Sequence, residues 1–351
     1  MAFELRELSD LASVPVDTVI DVRSPAEYAE DHVPGAISLP VLSDEERARV
    51  GTIYVQDSPF KARKLGAALV ARNAARHIET VLADKDGAWR PLVYCWRGGQ
   101  RSGSFATILQ QIGWRTQTLA GGYQSYRRLV VEALYQRPFP APVILLDGNT
   151  GTGKTRLLGL LGDQGLQTID LEGLANHRGS SLGAFGRQPS QKAFESALAE
   201  KIVGLDPKAP VVIEAESSRV GKLNVPPALW RAMQEAPRIE ITAPEEDRVG
   251  YLVSAYADLI ADPDALCARL QSLVPLRGRA RVDAWIAMVR DGAHRKLVMD
   301  LIQHHYDPGY KKARRRNEAV VVPVTARSLD ASGLDALAGQ VVDAARSLRP
   351  E

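Results

Sequence analysis

Only two cysteines, Cys95 and Cys267, occur in this chain of 351 residues. Two thiols cannot staple so long a fold, which excludes a disulfide-framed scaffold and suits a reducing compartment. No signal peptide is expected in the first residues either: Met1 to Asp10 carries Glu4, Arg6, Glu7 and Asp10 where a signal peptide needs an apolar stretch. No later segment reaches the run of about 20 apolar residues that spans a bilayer. No membrane partner is therefore expected, and a cytoplasmic location is. Charge of one sign is missing too. Lys and Arg number 44 against 42 Asp and Glu, a net of +2, so any nucleic-acid surface must be a local patch. Internal repeats and low-complexity tracts are absent. What is present is an ordinary globular balance, 45% hydrophobic and 25% charged. At roughly 150 residues per domain the length suggests two.

The segment Gln136-Arg137-Pro138-Phe139-Pro140-Ala141-Pro142 punctuates the chain, because alternating prolines forbid helix and favour an extended connector. It divides an expected N-terminal domain, 1–135, from a C-terminal one, 143–351, with 136–142 as linker. Both sides alternate strand and helix patterns, which argues two parallel α/β sheets. Strands are expected at Thr18 to Val22, around Ile37, at Pro91 to Tyr94 and at Thr116 to Leu119. A helix is expected from Ser24, where Glu27 completes a capping-box spacing. Further helices are expected at Lys61 to Ala75 and Ser102 to Ile112. On the C-terminal side the expected strands are Val143 to Leu146, Gln167 to Ile169, Val211 to Ile213 and Ala319 to Val324. Helices follow from Lys154 and over Leu334 to Leu348. A mainly helical, Arg-rich insertion is expected over about 226–318.

Cys95-Trp96-Arg97-Gly98-Gly99-Gln100-Arg101-Ser102 joins a buried strand to a helix. Gly98 and Gly99 let successive backbone N–H groups point inward, and the helix end adds positive potential. A thiol at the base of such a cradle favours its thiolate and falls below its free pKa of ~8.5. Arg97 and Arg101 add charge, and the Cys-x5-Arg spacing suits a tetrahedral oxyanion held by a guanidinium fork. A buried structural cysteine is the plain alternative. Two glycines and two arginines in a strand–loop–helix context weigh against it. Cys95, Arg97 and Arg101 are the catalytic candidates, with Gly98, Gly99, Gln100 and Ser102 completing the loop.

Gly148-Asn149-Thr150-Gly151-Thr152-Gly153-Lys154-Thr155 satisfies G-x-x-x-x-G-K-[ST] between an apolar strand and a helix, the context that makes it a P-loop. Backbone N–H groups would hold phosphates, Lys154 would neutralise charge, and Thr155 could place its hydroxyl on Mg²⁺. Asp170, Glu214 and Glu216 end expected strands and could face this site. The polar loops carrying His177, Arg178 and Arg219 are candidates for its shell. Solvated strand ends and plain surface loops are the bland readings of these residues.

Asp21-Val22-Arg23-Ser24-Pro25-Ala26-Glu27-Tyr28, then His32-Val33-Pro34-Gly35-Ala36-Ile37, then the Cys95 loop and Gly121-Gly122, resemble a rhodanese domain over about the first 130 residues. The resemblance implies a transferable sulfur carried as a persulfide on Cys95. The loop is a residue longer than in sulfur-carrying rhodaneses and matches dual-specificity phosphatases in length. This implies a selenium- or phosphate-bearing substrate more than a bare sulfane. Joined to the P-loop, to Asn176-His177-Arg178-Gly179-Ser180-Ser181 and to His305-Tyr306-Asp307-Pro308-Gly309-Tyr310, the chain resembles the tRNA 2-selenouridine synthase family.

That resemblance implies a transferase acting on uridine 34 in the anticodon loop of tRNA. Geranyl diphosphate would geranylate 2-thiouridine, and selenophosphate would then replace the geranylthio group with selenium. It further implies a perselenide on Cys95, with Arg97 and Arg101 holding phosphate, and a partner that supplies selenophosphate. The basic run Lys311, Lys312, Arg314, Arg315 and Arg316, with Tyr306 and Tyr310 to stack on bases, is the candidate tRNA surface. Arg277, Arg279 and Arg281 form a second cluster. Leu229, Trp230, Leu252, Tyr256, Leu259 and Trp285 are a candidate wall for the geranyl chain, but core packing is the better explanation and they are not counted as site residues. Adjacent His304 and His305 lack zinc-ligand spacing, so no resident metal is assigned and Mg²⁺ stays an option at Thr155. A rhodanese-fold phosphatase and a P-loop kinase or ATPase with a regulatory rhodanese module are the alternative readings.

Overall fold

The structure, a computed structural model, describes residues 2–180, 183, 186–309 and 320–348. The chain forms two compact units, Met1–Pro138 with Pro189–Gly204, and Phe139–Gln188 with Leu205–Glu351. The helix Gln191–Val203 thus comes from the C-terminal half of the sequence but belongs to the first unit.

The first unit is built on five parallel strands, β1 (Ala2–Phe3), β2 (Thr18–Asp21), β3 (Ile37–Ser38), β4 (Pro91–Tyr94) and β5 (Gln117–Leu119). Their order is β1-β5-β4-β2-β3. β4 lies centrally with all four residues buried, in register with β2 through Ile20↔Val93. That is why its sequence is an unbroken apolar run with no polar alternation. Phe105 and Leu109 of the helix Gln100–Ile112, with Leu69, Val70 and Ala74 of the helix Pro59–Glu79, pack against Ile20, Val22 and Val93. Asp44–Gln56 is a helix that the apolar pattern does not announce, because none of its residues is fully buried. Its signal is at the start: Ser43 Oγ accepts from Glu46 N at 3.1 Å while Glu46 Oε2 accepts from Ser43 N at 2.9 Å.

The second unit carries the sheet order β12-β11-β6-β8-β7, all parallel. Its strands are β6 (Val143–Gly148), β7 (Gln167–Ile169), β8 (Val211–Glu214), β11 (Arg238–Thr242) and β12 (Val321–Thr325). β9 (Arg219–Val220) and β10 (Leu223–Asn224) form a separate antiparallel pair. The helices Lys154–Asp163 and Ala331–Ser347 cover this sheet through Leu157, Leu161, Leu337 and Val341. β11 corrects the expectation of a mainly helical stretch from residue 226. It lies between β6 and β12, burying Ile239 and Ile241 and leaving Arg238 and Glu240 half-buried. Two apolar positions are too few to show a period of two against the helices on either side. Helices from Glu245 to Leu301 form their own core around Trp285, Leu270 and Leu297.

Within each unit the sheet is parallel, so its strands deliver residues to its own carboxyl edge, and the crevice beyond that edge is where an open α/β sheet binds ligands. β4 ends at Cys95, β6 ends in the P-loop, and β8 ends at Glu214.

Candidate active sites

In the first unit, Cys95 is buried at the start of its loop, its Sγ 3.1 Å from Ser102 Oγ. Burial pushes the thiol up, yet hydrogen bonds from the side chain and backbone of Ser102, the Arg101 charge and the Gly99 N–H outweigh it. The thiol settles below its ordinary value, the state a nucleophile needs. The glycines have geometric work. Gly98 adopts φ +68°, and a Cβ there would lie 2.8 Å from Leu119 O. A Cβ on Gly122, at φ +58°, would overlap Cys95 O and Gly98 N, so Gly121-Gly122 is the surface on which the cysteine loop rests. Tyr123 N then donates to Cys95 O at 2.8 Å, fixing the loop from behind.

The Asp21-to-Tyr28 motif proves to be the frame of this loop. Arg23 is fully buried and donates to Asp21 Oδ2 at 2.6 and 2.9 Å. Its guanidinium lies 4.0 Å from the Tyr123 ring centroid. Asp31 Oδ2 accepts from Tyr123 Oη at 2.6 Å and from Ser196 Oγ at 2.9 Å, which ties in the helix Gln191–Val203. Glu27 Oε2 accepts from Arg101 at 2.8 Å and from Arg47 at 3.1 Å. Arg101 is therefore an ion-paired wall of the site, while Arg97 is exposed at its mouth. Both, with Gly99 and Gln100, line a cavity of about 810 Å³ that opens in front of Cys95.

In the second unit, β6 is buried along its length and releases the P-loop with Gly148, Gly151 and Gly153 all at positive φ. Thr152 Oγ1 donates to Asn149 O at 2.9 Å, and Lys154 Nζ lies 2.8 Å from Gly148 O, curling back over the loop. Thr155 Oγ1 donates to Glu172 Oε2 at 3.2 Å. Glu172, Glu214 and Glu216 gather here with one carboxylate oxygen of each within 4.8 Å of the others. Burial raises all three carboxyls, and mutual repulsion raises Glu172 and Glu214 further, each to about 8. Among the described residues neither oxygen of Glu214 has a partner at full hydrogen-bond geometry, although the Thr155 hydroxyl lowers its carboxyl slightly against burial.

Glu172 was not among the sequence candidates. Its one signal is its place two residues after Asp170 at the end of β7. Asp170 caps the short helix Leu171–Leu174, accepting from Gly173 N at 2.7 Å. His177 and Arg178 line a cavity of about 330 Å³ together with Thr150 to Thr155, Glu172 and Tyr256. Arg178 lies 4.9 Å from the Tyr256 ring centroid and 3.0 Å from Asp258. Arg219 is exposed on β9 and is not brought into that cavity.

The tyrosine and histidine motif near residue 305 is tied to the protein interior. Arg248 donates from Nε to Thr150 O at 3.0 Å, and its guanidinium meets Asp307 at 2.7 and 3.0 Å. Asp307 thereby braces the P-loop backbone. Tyr306, expected to stack on bases, is half-buried with its ring 4.7 Å from His305. Arg277 likewise donates to His305 Nδ1 and O at 2.8 Å, and Arg281 pairs with Asp300 at 3.6 Å. Tyr310, Lys311, Lys312, Arg314, Arg315 and Arg316 lie outside the described residues. Of the expected geranyl wall, Leu252, Tyr256 and Leu259 line a small pocket of about 50 Å³ beside Thr150, whereas Trp285 is core.

Comparison with known proteins follows the same division. The tRNA 2-selenouridine synthase AAA domain model matches residues 141–273, and the Rhodanese-like domain model matches residues 4–129. A tRNA 2-selenouridine synthase from Aeromonas salmonicida is 35% identical over 299 residues, covering 82% of this chain and 79% of that protein. One from Pseudomonas syringae pv. tomato is 32% identical over 353 residues, covering 90% of this chain and 93% of its own. Among the described residues no helix is long and apolar enough to cross a membrane.

Proposed function

The chain belongs to the tRNA 2-selenouridine synthase family, and on that premise we propose that it makes 2-selenouridine in tRNA by two half-reactions, one at each site. The observation that carries this reading is the pair of anion cradles on separate sheets, one holding a nucleophile and the other none. In the first half-reaction, the sulfur of 2-thiouridine 34 attacks C1 of geranyl diphosphate. The C–O bond breaks, and diphosphate departs onto the P-loop N–H groups and Lys154. Leu252 and Tyr256, beside Thr150, stand where a prenyl chain leaving that loop would start.

Mg²⁺ fits the acids beside this loop. Glu172, Glu214, Glu216 and the Thr155 hydroxyl offer a hard, all-oxygen donor set, and among the described residues neither oxygen of the buried Glu214 is satisfied at full hydrogen-bond geometry. Bound there, the ion would neutralise charge on the diphosphate.

The second half-reaction belongs to Cys95. Electron bookkeeping decides where its thiolate attacks selenophosphate. Attack on selenium would form an S–Se bond and break the P–Se bond with its electron pair left on phosphorus, giving a perselenide and phosphite-level phosphorus, and the later S–Se cleavage would need an external thiol. Attack on phosphorus forms an S–P bond, breaks the P–Se bond and releases hydroselenide with no change of oxidation state. Hydroselenide then adds to C2 of the geranylated uridine, the C–S bond breaks and geranylthiol leaves. Water hydrolyses the phosphocysteine and restores the thiolate. A cradle of backbone N–H groups at a helix start suits that phosphoryl group, and the thiolate preference of Cys95 supports the attack.

The test supplies 2-thiouridine tRNA, geranyl diphosphate and selenophosphate to wild type, Cys95→Ala and Lys154→Ala, then weighs the nucleosides. Cys95→Ala should stall at the geranylated nucleoside, and Lys154→Ala should leave 2-thiouridine unchanged. Loss of both steps in both variants would overturn the division. Trapping the Cys95 peptide with selenophosphate alone should give a phosphoryl adduct, and a selenium isotope pattern would instead establish the perselenide.

A further inference from the structure

The cavity in front of Cys95 is much larger than selenophosphate requires, and most of its wall is carbon. We propose that it is an isoprenoid site, which takes the geranyl chain of the S-geranylated uridine while C2 of that uridine lies at the Cys95 loop. The proposal rests on the second half-reaction above and names the part of the substrate that the site recognises.

At about 810 Å³ the space falls in the range of small-molecule pockets, roughly 300–1,000 Å³. One end is the N–H cradle from Cys95 to Arg101. The other is the helical pair Asp44–Gln56 and Pro59–Glu79, which offers Val50, Tyr54, Val55, Ala67 and Val70. Gly66 and Val50 bring the two helices close there: a Cβ on Gly66 would lie in ordinary contact with Val50 Cγ1, at 3.6 Å. Tyr54 and Val55 leave 54% and 83% of their surface exposed, an apolar rim of the kind that marks a binding site.

A small dianion has no use for such a wall, whereas a substrate with an anion-reactive centre and an attached hydrocarbon needs both ends at once. The cavity supplies them side by side, with Arg97 and Arg63 at its lining for RNA phosphates. Geranylation then acts as an admission tag. A 2-thiouridine without the chain lacks the handle, and the 2-selenouridine product has shed it, so substrate is held and product released.

The experiment titrates short anticodon stem-loop RNAs carrying S-geranyl- or S-dimethylallyl-2-thiouridine, followed by fluorescence of Trp96, which lines the cavity, and by selenation kinetics. Wild type should bind the geranyl RNA at least tenfold more tightly than the dimethylallyl RNA. Ala67→Phe, which fills the chamber, and Tyr54→Asp, which makes its rim polar, should erase that preference through KM with little change in kcat. Neither position is buried, and unchanged melting temperatures establish that the variants fold. Equal affinity of wild type for the two RNAs, or a loss in the variants that is the same for both, would overturn the isoprenoid site. Tight, chain-dependent binding without any selenation by wild type would overturn the half-reaction instead and leave the site standing.

Discussion

At the scale of single residues, reactivity at Cys95 is set by contest. Burial opposes the thiolate, and Ser102, Arg101 and the loop amides favour it with the larger combined effect. Alkylation by iodoacetamide tracks the thiolate, so in a Cys267→Ser background the rate should reach half its plateau below the free-thiol value of ~8.5. Removing the strongest favourable interaction, in Ser102→Ala, should move that midpoint upward. An unmoved midpoint would mean that the hydroxyl does not hold the charge. Gly122 sets the loop by what it lacks. Gly122→Ala should destabilise the protein by about 1–3 kcal/mol, the usual cost of forced backbone strain, read as a lowered denaturant midpoint. It should also slow Cys95 alkylation as the loop shifts.

At the scale of elements, the P-loop is held by a residue far along the chain. Arg248 and Asp307 are a largely buried pair, and Arg248 also donates to Thr150 O. Asp307→Ala leaves that guanidinium uncompensated, which typically costs about 3–5 kcal/mol. Chemical denaturation should show that loss, and, if the P-loop takes geranyl diphosphate as proposed, equilibrium titration should show weaker binding of it. Asp307→Glu, keeping the charge, should recover part of both. The helix Asp44–Gln56 depends on its cap, since it buries no residue fully. Ser43→Ala should cost about 1 kcal/mol. If the helix walls an isoprenoid chamber, that loss should also weaken the geranyl preference.

For the whole molecule, a net charge of +2 gives no general attraction for a polyanion. Binding of tRNA must come from local cations whose counterions are released, so the affinity should fall linearly on a log–log plot against salt. Arg277 and Arg281 are tied to His305 and Asp300. The run from Lys311 to Arg316 is therefore the better candidate. Replacing Lys311, Lys312, Arg314, Arg315 and Arg316 by Gln should flatten the slope by about 0.7–0.9 for each phosphate no longer neutralised. An unchanged slope would move the tRNA surface elsewhere.

Features that depend on local chemistry and short spacing are legible in the order of residues. The fully buried strands β4, β6 and β8 are readable as apolar runs, because burial on both faces demands carbon at nearly every position. The Cys95 loop and the P-loop are readable because backbone cradles need glycines at fixed offsets from the strand and helix that carry them. Tertiary structure alone decided which distant side chains meet. Only the adjacent carboxyl ends of β7 and β8 bring Glu172 to Glu214 and Glu216, and only packing turns Asp307 into a brace for Thr150. β11 was hidden because a strand with two inward residues has too short a pattern to outweigh flanking helices. The apolar chamber before Cys95 was hidden for a related reason. One side of its wall, the helix Pro59–Glu79, was legible, but the other, Asp44–Gln56, buries no residue fully, and exposure removes the periodic burial signal by which a sequence announces a helix.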